Sequence, residues 1–171
     1  EYKIIRTIST GWTGYAYINA GIQLPMVENR GRVILLVDDY FSTPLSVQLE
    51  QLKVDLEGDG WTVVRHDVSR NAPVPSVKGL VVGEYNADPV NTRAVFIVGH
   101  VPVPYSGNMA PDGHWEHQGA WSADVFYGDV NGTWTDNQVS ATGAGDPRNH
   151  NVPGDGKYDQ SNIPSPVELA V

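Results

Sequence analysis

The sequence contains no cysteine in its 171 residues. The chain therefore has no disulfide framework, no zinc site with thiolate ligands and no cysteine nucleophile. It also lacks any apolar run near the roughly 18 residues of a membrane helix, so we expect no membrane insertion. Basic residues are scarce, with 11 lysines and arginines against 20 acidic residues and a formal net charge of −9. This balance argues against nucleic acid as a partner and fits cation binding or simple solubility.

The length and the hydrophobic content of 40% fit one globular domain with its own core. Two alternating stretches, "YKIIRTI" and "GYAYINAGIQL", predict that residues 1–30 are N-terminal strands, or a linker, from a preceding β region. Residues 31–171 form the main domain in this division. The final stretch, "PSPVELAV", predicts the start of a buried strand, and we therefore expect the chain to be a piece of a longer protein.

Three apolar runs predict strands of the main domain: Val33–Val37, Trp61–Val68 and Ala94–Val98. The first and third runs are continuously apolar rather than alternating. Continuous apolar character is typical of parallel strands that are covered on both faces. We therefore expect the three strands to be adjacent and parallel.

Two helices are predicted between these strands. Four leucines lie at helical spacing on one face of the first: Leu45, Leu49, Leu52 and Leu56. Thr43 is placed to cap this helix and Pro44 to fill its first position. A second helix is predicted from Ser76 to about Ala87.

Alternation of strands and helices predicts a three-layer, Rossmann-like α/β fold with a mostly parallel sheet flanked by helices. From residue 99 onward the composition changes to a long loop region rich in glycine, proline and histidine. Only "ADVFYGDV" and "VELAV" are predicted as strands in that region.

Polar residues follow two of the predicted parallel strands. Asp38 and Asp39 end the first strand, and His100 follows the third. Ligands of open α/β sheets bind in the crevice beyond the carboxyl ends of the strands. A carboxylate beside an imidazole there is able to act as a base with its orienting partner. The alternative is that Asp38 caps a turn or helix and that His100 is a hydrogen-bonded loop residue.

The stretch "APDGHWEHQGAWSAD" concentrates residues that bind metals. His114 and His117 are close to the carboxylates of Asp112, Glu116 and Asp124. A zinc site would require three or four such ligands, held rigidly. The alternative is that the imidazoles bond to loop carbonyls while Trp115 and Trp121 pack the loop down.

Two later stretches offer oxygen ligands for calcium, a hard cation. "GDVNGTWTD" contributes Asp129, Asn131 and Asp136, and "GDGKYD" contributes Asp155 and Asp159. Neither stretch has the spacing of an EF-hand. The alternative is that these side chains form turns, which is the ordinary role of Asp and Asn beside glycine.

Five segments in order, "RGRVILLVDD", "DGWTVVRHDVSR", "AVFIVGHVPVPYSG", "PDGHWEHQGAWSADVFYGDVNGTWTD" and "PSPVELAV", resemble the gingipain-like cysteine peptidase family of bacteria. The likeness is greater to extracellular relatives of the gingipains than to the gingipains themselves. It implies a caspase-like fold of two similar subdomains, with the catalytic histidine and cysteine in the second. Residues 30–171 resemble the first subdomain, so no catalytic residue is carried over.

The resemblance also implies an extracellular or cell-surface location and bound calcium. The implied partner is the remainder of the parent chain, together with a protein or peptide ligand. The leading hypothesis is therefore the non-catalytic first subdomain of a secreted peptidase, which would be inactive alone. The alternative is a non-enzymatic extracellular module, structural or ligand-binding, with a caspase-like fold.

Overall fold

The computed structural model describes residues 2–18 and 29–171. Its strands are β1 (Tyr2–Thr7), β2 (Thr13–Ile18), β3 (Gly31–Asp38), β4 (Trp61–Val68), β5 (Thr92–Val98), β6 (Tyr105–Met109) and β7 (Gly119–Ser122). Its helices are α1 (Asp39–Ser42), α2 (Ser46–Gly58), α3 (Val74–Ala87) and α4 (Val125–Gly128). Within the described ranges, no helix has the length and apolar character needed to cross a membrane.

The centre of the molecule is a parallel sheet in the order β4-β3-β5, as the three apolar runs predict. Strand β3 lies in the middle, and its apolar residues from Val33 to Val37 are at most 3% exposed. Because side chains alternate between the faces of a strand, both faces of β3 must be covered. The continuous apolar run is the direct consequence.

Helices cover the sheet on both faces, which confirms an α/β fold with a parallel sheet flanked by helices. On one face, Leu49 of α2 packs against Leu35 and Val37. On the other face, Val77 and Val81 of α3 belong to the core cluster that contains Ile34 and Leu36.

Helix α2 begins later than predicted, at Ser46, and the assigned roles of Thr43 and Pro44 are wrong. The reason is that β3 runs directly into α1, where Thr43 is the residue that follows the last helical position. The shared face of the leucines predicts that Leu49 and Leu52 are buried; Leu49 is buried, at 3% exposure, but Leu52 is only partly buried. Leu52 and Val63 of the edge strand β4 both pack at the margin of the cluster formed by Leu35, Val37 and Leu49.

The prediction of a strand at "ADVFYGDV" is also wrong, because this stretch contains the helical turn α4. Phe126 and Tyr127 are consecutive and both buried, whereas a strand would send them to opposite faces. Phe126 stacks on Tyr158 with ring centroids 4.4 Å apart. The Tyr127 hydroxyl donates to the Pro102 carbonyl at 2.5 Å, and burial raises the pKa of Tyr127 well above its usual value.

The stretch "VELAV" joins the sheet through a single parallel bridge between Ala94 and Ala170. The Val95 amide donates to the Ala170 carbonyl at 2.7 Å, and the Ala170 amide donates to the Arg93 carbonyl at 3.0 Å. Leu169 is buried beside this bridge at 1% exposure. The predicted strand is thus present only as a short extension next to β5.

The N-terminal residues form an antiparallel hairpin of β1 and β2, in agreement with the strands predicted there. The part of that prediction that covers residues 19–24 lies outside the described residues. The long loop region contains a second antiparallel pair, β6 with β7, that the sequence did not indicate.

Candidate functional site

The carboxyl edge of the parallel sheet is organised around Asp38, which is fully buried at 0% exposure. Its Oδ1 accepts a hydrogen bond from the Tyr40 amide at 3.1 Å, so it caps α1. Its Oδ2 accepts from Arg70 Nη2 at 2.6 Å and from the His100 amide at 3.1 Å. One carboxylate therefore ties together the segments that follow β3, β4 and β5.

These contacts keep Asp38 ionised. The hydrogen bond from Arg70 lowers the pKa of Asp38, and the amides of Tyr40 and His100 add to this effect against the opposing effect of burial. A carboxylate with a lowered pKa and fully used oxygens is a weak candidate for a general base.

The predicted strand-end residues are near one another, but not as a base and its partner. Asp39 and His100 are exposed. Asp38 contacts His100 through the backbone amide, and within the described residues the His100 imidazole makes no hydrogen bond. Gly99 has a φ of +83°, and a Cβ there would lie 2.8 Å from the Asp38 Cβ, so glycine is required for this approach.

Arg70 is the residue of this edge that the sequence reasoning missed. Its guanidinium lies 4.4 Å from the ring centroid of Tyr40, and its side chain is 37% exposed. A usable signal was present in the sequence, because Arg70 follows β4 by two positions and the carboxyl ends of parallel strands meet at one edge.

The histidine-rich loop brings Asp112, His114 and His117 together. Asp112 Oδ2 lies 2.7 Å from His117 Nδ1 and 3.1 Å from His114 Nδ1. The three potential ligand atoms are within 4.8 Å of one another, and all three residues are exposed. Glu116 and Asp124, which the sequence offered as further ligands, are not part of this group.

Hydrogen bonds keep Asp112 as a carboxylate. The His114 amide donates to Asp112 Oδ1 at 3.2 Å. This bond and the one from the His117 ring lower the pKa of Asp112 far below its usual value. Asp112 is therefore an anionic acceptor at neutral pH.

Of the two tryptophans expected to pack this loop, only Trp121 does so. Its Nε1 donates to the His117 carbonyl at 3.0 Å and to the Met109 carbonyl at 3.2 Å. Trp115 is 75% exposed, so the expectation for it is wrong. It lies in a 3₁₀ turn, Trp115–His117, that carries its ring outward.

A pocket of about 320 Å³ adjoins the loop. Its lining includes His117, Trp121, Asp146 and Arg148. Arg148 Nη2 lies 3.6 Å from Asp146 Oδ2, and both side chains are more than half exposed. The pocket is thus open, with aromatic and charged groups of both signs.

The residues predicted for calcium bond to backbone and side-chain groups of the loop region, and most of those partners are distant in sequence. Asp129 is fully buried and accepts from Trp134 Nε1 at 3.0 Å and from the Ser165 hydroxyl. Asn131 Nδ2 donates to Glu168 Oε1 at 2.6 Å.

The other three aspartates accept backbone amides. Asp136 accepts from Gly154 at 2.8 Å and from Gly156 at 2.7 Å. Asp155 accepts from the Lys157 amide at 2.9 Å.

Asp159 makes the largest set of these bonds, with four donors: Thr135 Oγ1 at 2.7 Å and the amides of Asn137 at 3.0 Å, Gln138 at 3.1 Å and Val139 at 2.8 Å. Burial alone would raise the pKa of Asp159, but these bonds lower it to about 2.

A local turn bond is observed for Asp155, which accepts from the Lys157 amide two residues on. Asp136 and Asp159 instead join separate loops of the chain. Within residues 2–18 and 29–171, the only group of three or more acidic or histidine ligands close enough to hold a metal is that of Asp112, His114 and His117. Calcium binding by the aspartate loops stays a prediction.

Comparisons of the chain with protein-family models, with curated proteins and with solved structures found no match.

Proposed function

We propose that this chain is the non-catalytic first subdomain of a secreted, gingipain-like cysteine peptidase, located outside the cell or at its surface. In this proposal the subdomain has a caspase-like fold and acts as a scaffold for a catalytic half that carries the histidine and the cysteine. The observation that carries the non-catalytic role is the ion pair between the buried Asp38 carboxylate and Arg70 at the carboxyl edge of the sheet.

That edge is where α/β folds place their reactive groups. Here the one buried carboxylate is committed to Arg70, to a helix cap and to the His100 amide. The chain also has no cysteine to act as the nucleophile. Both features support a structural use of the strand ends.

The scaffold role is supported by apolar side chains beside the outer strand of the sheet. Phe96 on β5 is 42% exposed, and Val171, next to the bridge residue Ala170 and beside α4, is 49% exposed. Exposed apolar side chains on either face of an outer strand fit a surface that another element covers. The remainder of the parent chain is the partner that we propose for this surface.

The test is complementation in two pieces. The parent gene is read beyond codon 171, and the polypeptide that follows is produced separately and mixed with this chain. Peptide substrates carry Arg, Lys, Asp or small residues before the cut. We expect no cleavage by the 171-residue chain and cleavage by the mixture.

A matched pair of variants tests the surface. Phe96→Asp should weaken complementation at least about tenfold, because a charge then replaces a ring at the proposed contact. Val47→Asp, at a position on α2 that is 77% exposed, should leave it unchanged. A parent without a histidine and cysteine pair would overturn the peptidase proposal in favour of the non-enzymatic module. Robust cleavage by the isolated chain would contradict the non-catalytic role.

A further inference from the structure

We propose that Asp112, His114 and His117 form a binding site for a divalent transition metal of the zinc class. This inference does not rest on the peptidase proposal, since it concerns a loop away from the strand-end edge. All three ligands come from residues 112–117 and already converge on one point.

The distances between the ligand atoms are near those of a metal site. Ligands at the zinc distance of about 2.0–2.1 Å in a tetrahedron are roughly 3.3 Å from one another. The Asp112 oxygen lies 2.7 Å from His117 Nδ1 and 3.1 Å from His114 Nδ1. These two separations are within a few tenths of an ångström of the tetrahedral value, and all three ligand atoms lie within 4.8 Å of one another.

The donor set selects the class of metal. Two imidazoles and one carboxylate suit zinc and its neighbours in the transition series, whereas calcium and magnesium prefer oxygen ligands alone. Three protein ligands on an exposed loop leave at least one coordination position for water. The net charge of −9 also favours the approach of a cation.

The loop holds the ligands in place without a metal. Trp121 Nε1 donates to the His117 carbonyl, and the Gly145 amide donates to the Glu116 carbonyl at 2.8 Å. The His114 amide is bound to Asp112 Oδ1. Since the backbone on both sides of the histidines is fixed, less conformational entropy is lost when the metal binds.

In the metal-free protein His117 Nδ1 lies 2.7 Å from Asp112 Oδ2, and because an ionised carboxylate only accepts, this nitrogen donates. A metal at Nδ1 would bind the lone pair of the neutral imidazole, whose hydrogen would then be on Nε2.

The experiment titrates the tag-free 171-residue protein with Zn²⁺ by calorimetry, and with Co²⁺ by visible absorption. We expect one ion per chain and d–d bands typical of coordination by nitrogen and oxygen. His114→Ala and His117→Ala should each weaken binding by more than the roughly 10–100-fold that a lost supporting contact costs. His100→Ala, at an exposed histidine outside the group, is the matched control and should bind as the unmodified chain does.

Nuclear magnetic resonance of the unmodified protein provides a reading that does not depend on how the variants fold. Zn²⁺ should shift the ring signals of His114 and His117 and leave the ring signal of His100 unchanged. An excess of Ca²⁺ should not displace the bound Zn²⁺. The proposal is overturned if no ion binds, if His100→Ala weakens binding as much as His114→Ala, or if Ca²⁺ competes equally with Zn²⁺.

Discussion

The sheet region, residues 29–100, and the loop region, residues 101–168, order their backbones in different ways. In the sheet region the backbone groups bond to one another along β3, β4 and β5, and the side chains between them are apolar. In the loop region polar side chains bond to the backbone directly. The difference teaches that one chain can build a rigid interior either from apolar area or from buried hydrogen bonds.

Asn151 illustrates the second way. It is fully buried, and its Nδ2 donates to the Gly107 carbonyl at 3.0 Å and to the Tyr158 carbonyl at 2.8 Å. Asp159 does the same for amides of residues 137–139. Irregular backbone has no strand or helix partners, so such side chains satisfy groups that burial would otherwise leave unpaired.

The largest expected effect is a loss of stability when apolar packing in the sheet region is removed. Leu49→Ala should lower the free energy of unfolding by about 2–5 kcal/mol, because it leaves a cavity beneath α2. Leu52→Ala should cost less, since that side chain is only partly buried. Denaturant unfolding measures both values, and Val47→Ala is the exposed control. Equal losses for Leu49 and Val47 would contradict the packing of α2.

Calcium tests whether hydrogen bonds alone order the loop region. If the aspartate loops bind calcium, as the sequence predicts, the ion stabilises the native state by about 2.7 kcal/mol at a hundred times its dissociation constant. The melting temperature of the stripped protein should rise with calcium and fall with a chelator. A melting temperature that neither calcium nor the chelator changes would contradict the calcium prediction. Hydrogen bonding within the loop region would then explain these aspartates in full.

Asp159→Asn tests the hydrogen bonds that order the loop region. The new amide group faces donors where the carboxylate accepted, so we expect a loss of about 1–3 kcal/mol. Hydrogen exchange should accelerate first at the amides of Asn137, Gln138 and Val139. Asp39→Asn is the control, because within the described residues the Asp39 carboxylate accepts no hydrogen bond. Unchanged exchange at residues 137–139 would show that Asp159 does not hold this loop.

The smallest effect is the pH dependence that Asp159 contributes. Its pKa is about 2 in the folded protein against an ordinary value of 3.8. The unfolded state therefore takes up the proton first as the pH falls. The stabilisation is complete above about pH 4 and is lost as the pH falls towards 2. Unfolding free energies measured between pH 5 and 2 should fall less steeply in Asp159→Asn, and parallel curves would contradict this assignment.

The sheet region was predictable because its signal is local. The apolar runs of Val33–Val37 and Ala94–Val98 require cover on both faces, and helical spacing of the leucines predicts α2 between strands. The start of α2 was missed because Asp38 caps α1 rather than Thr43 capping α2. The position of the Asp38 carboxylate at the start of α1 depends on Arg70 and His100, which are distant from Asp38 in sequence.

The loop region was less predictable because its signal is not periodic. The phenylalanine and tyrosine of "ADVFYGDV" have the composition of a strand, but stacking on Tyr158 and the hydroxyl bond to Pro102 favour a helical turn. The grouping of Asp112, His114 and His117 was indicated by their spacing, since all three belong to one short segment. The spacing alone did not show that Glu116 and Asp124 lie outside this group, because that depends on the geometry of the turn.

The sequence by itself determined the parallel sheet, its two covered faces and the absence of a thiol nucleophile, because apolar runs and residue types act through short-range rules. Tertiary structure alone decided that Asp38 would be locked by Arg70, and that Asp159 would bind a loop more than twenty residues away. The physical reason is that a carboxylate is stable in the interior only where charge or hydrogen-bond donors meet it, and those partners arrive with the fold.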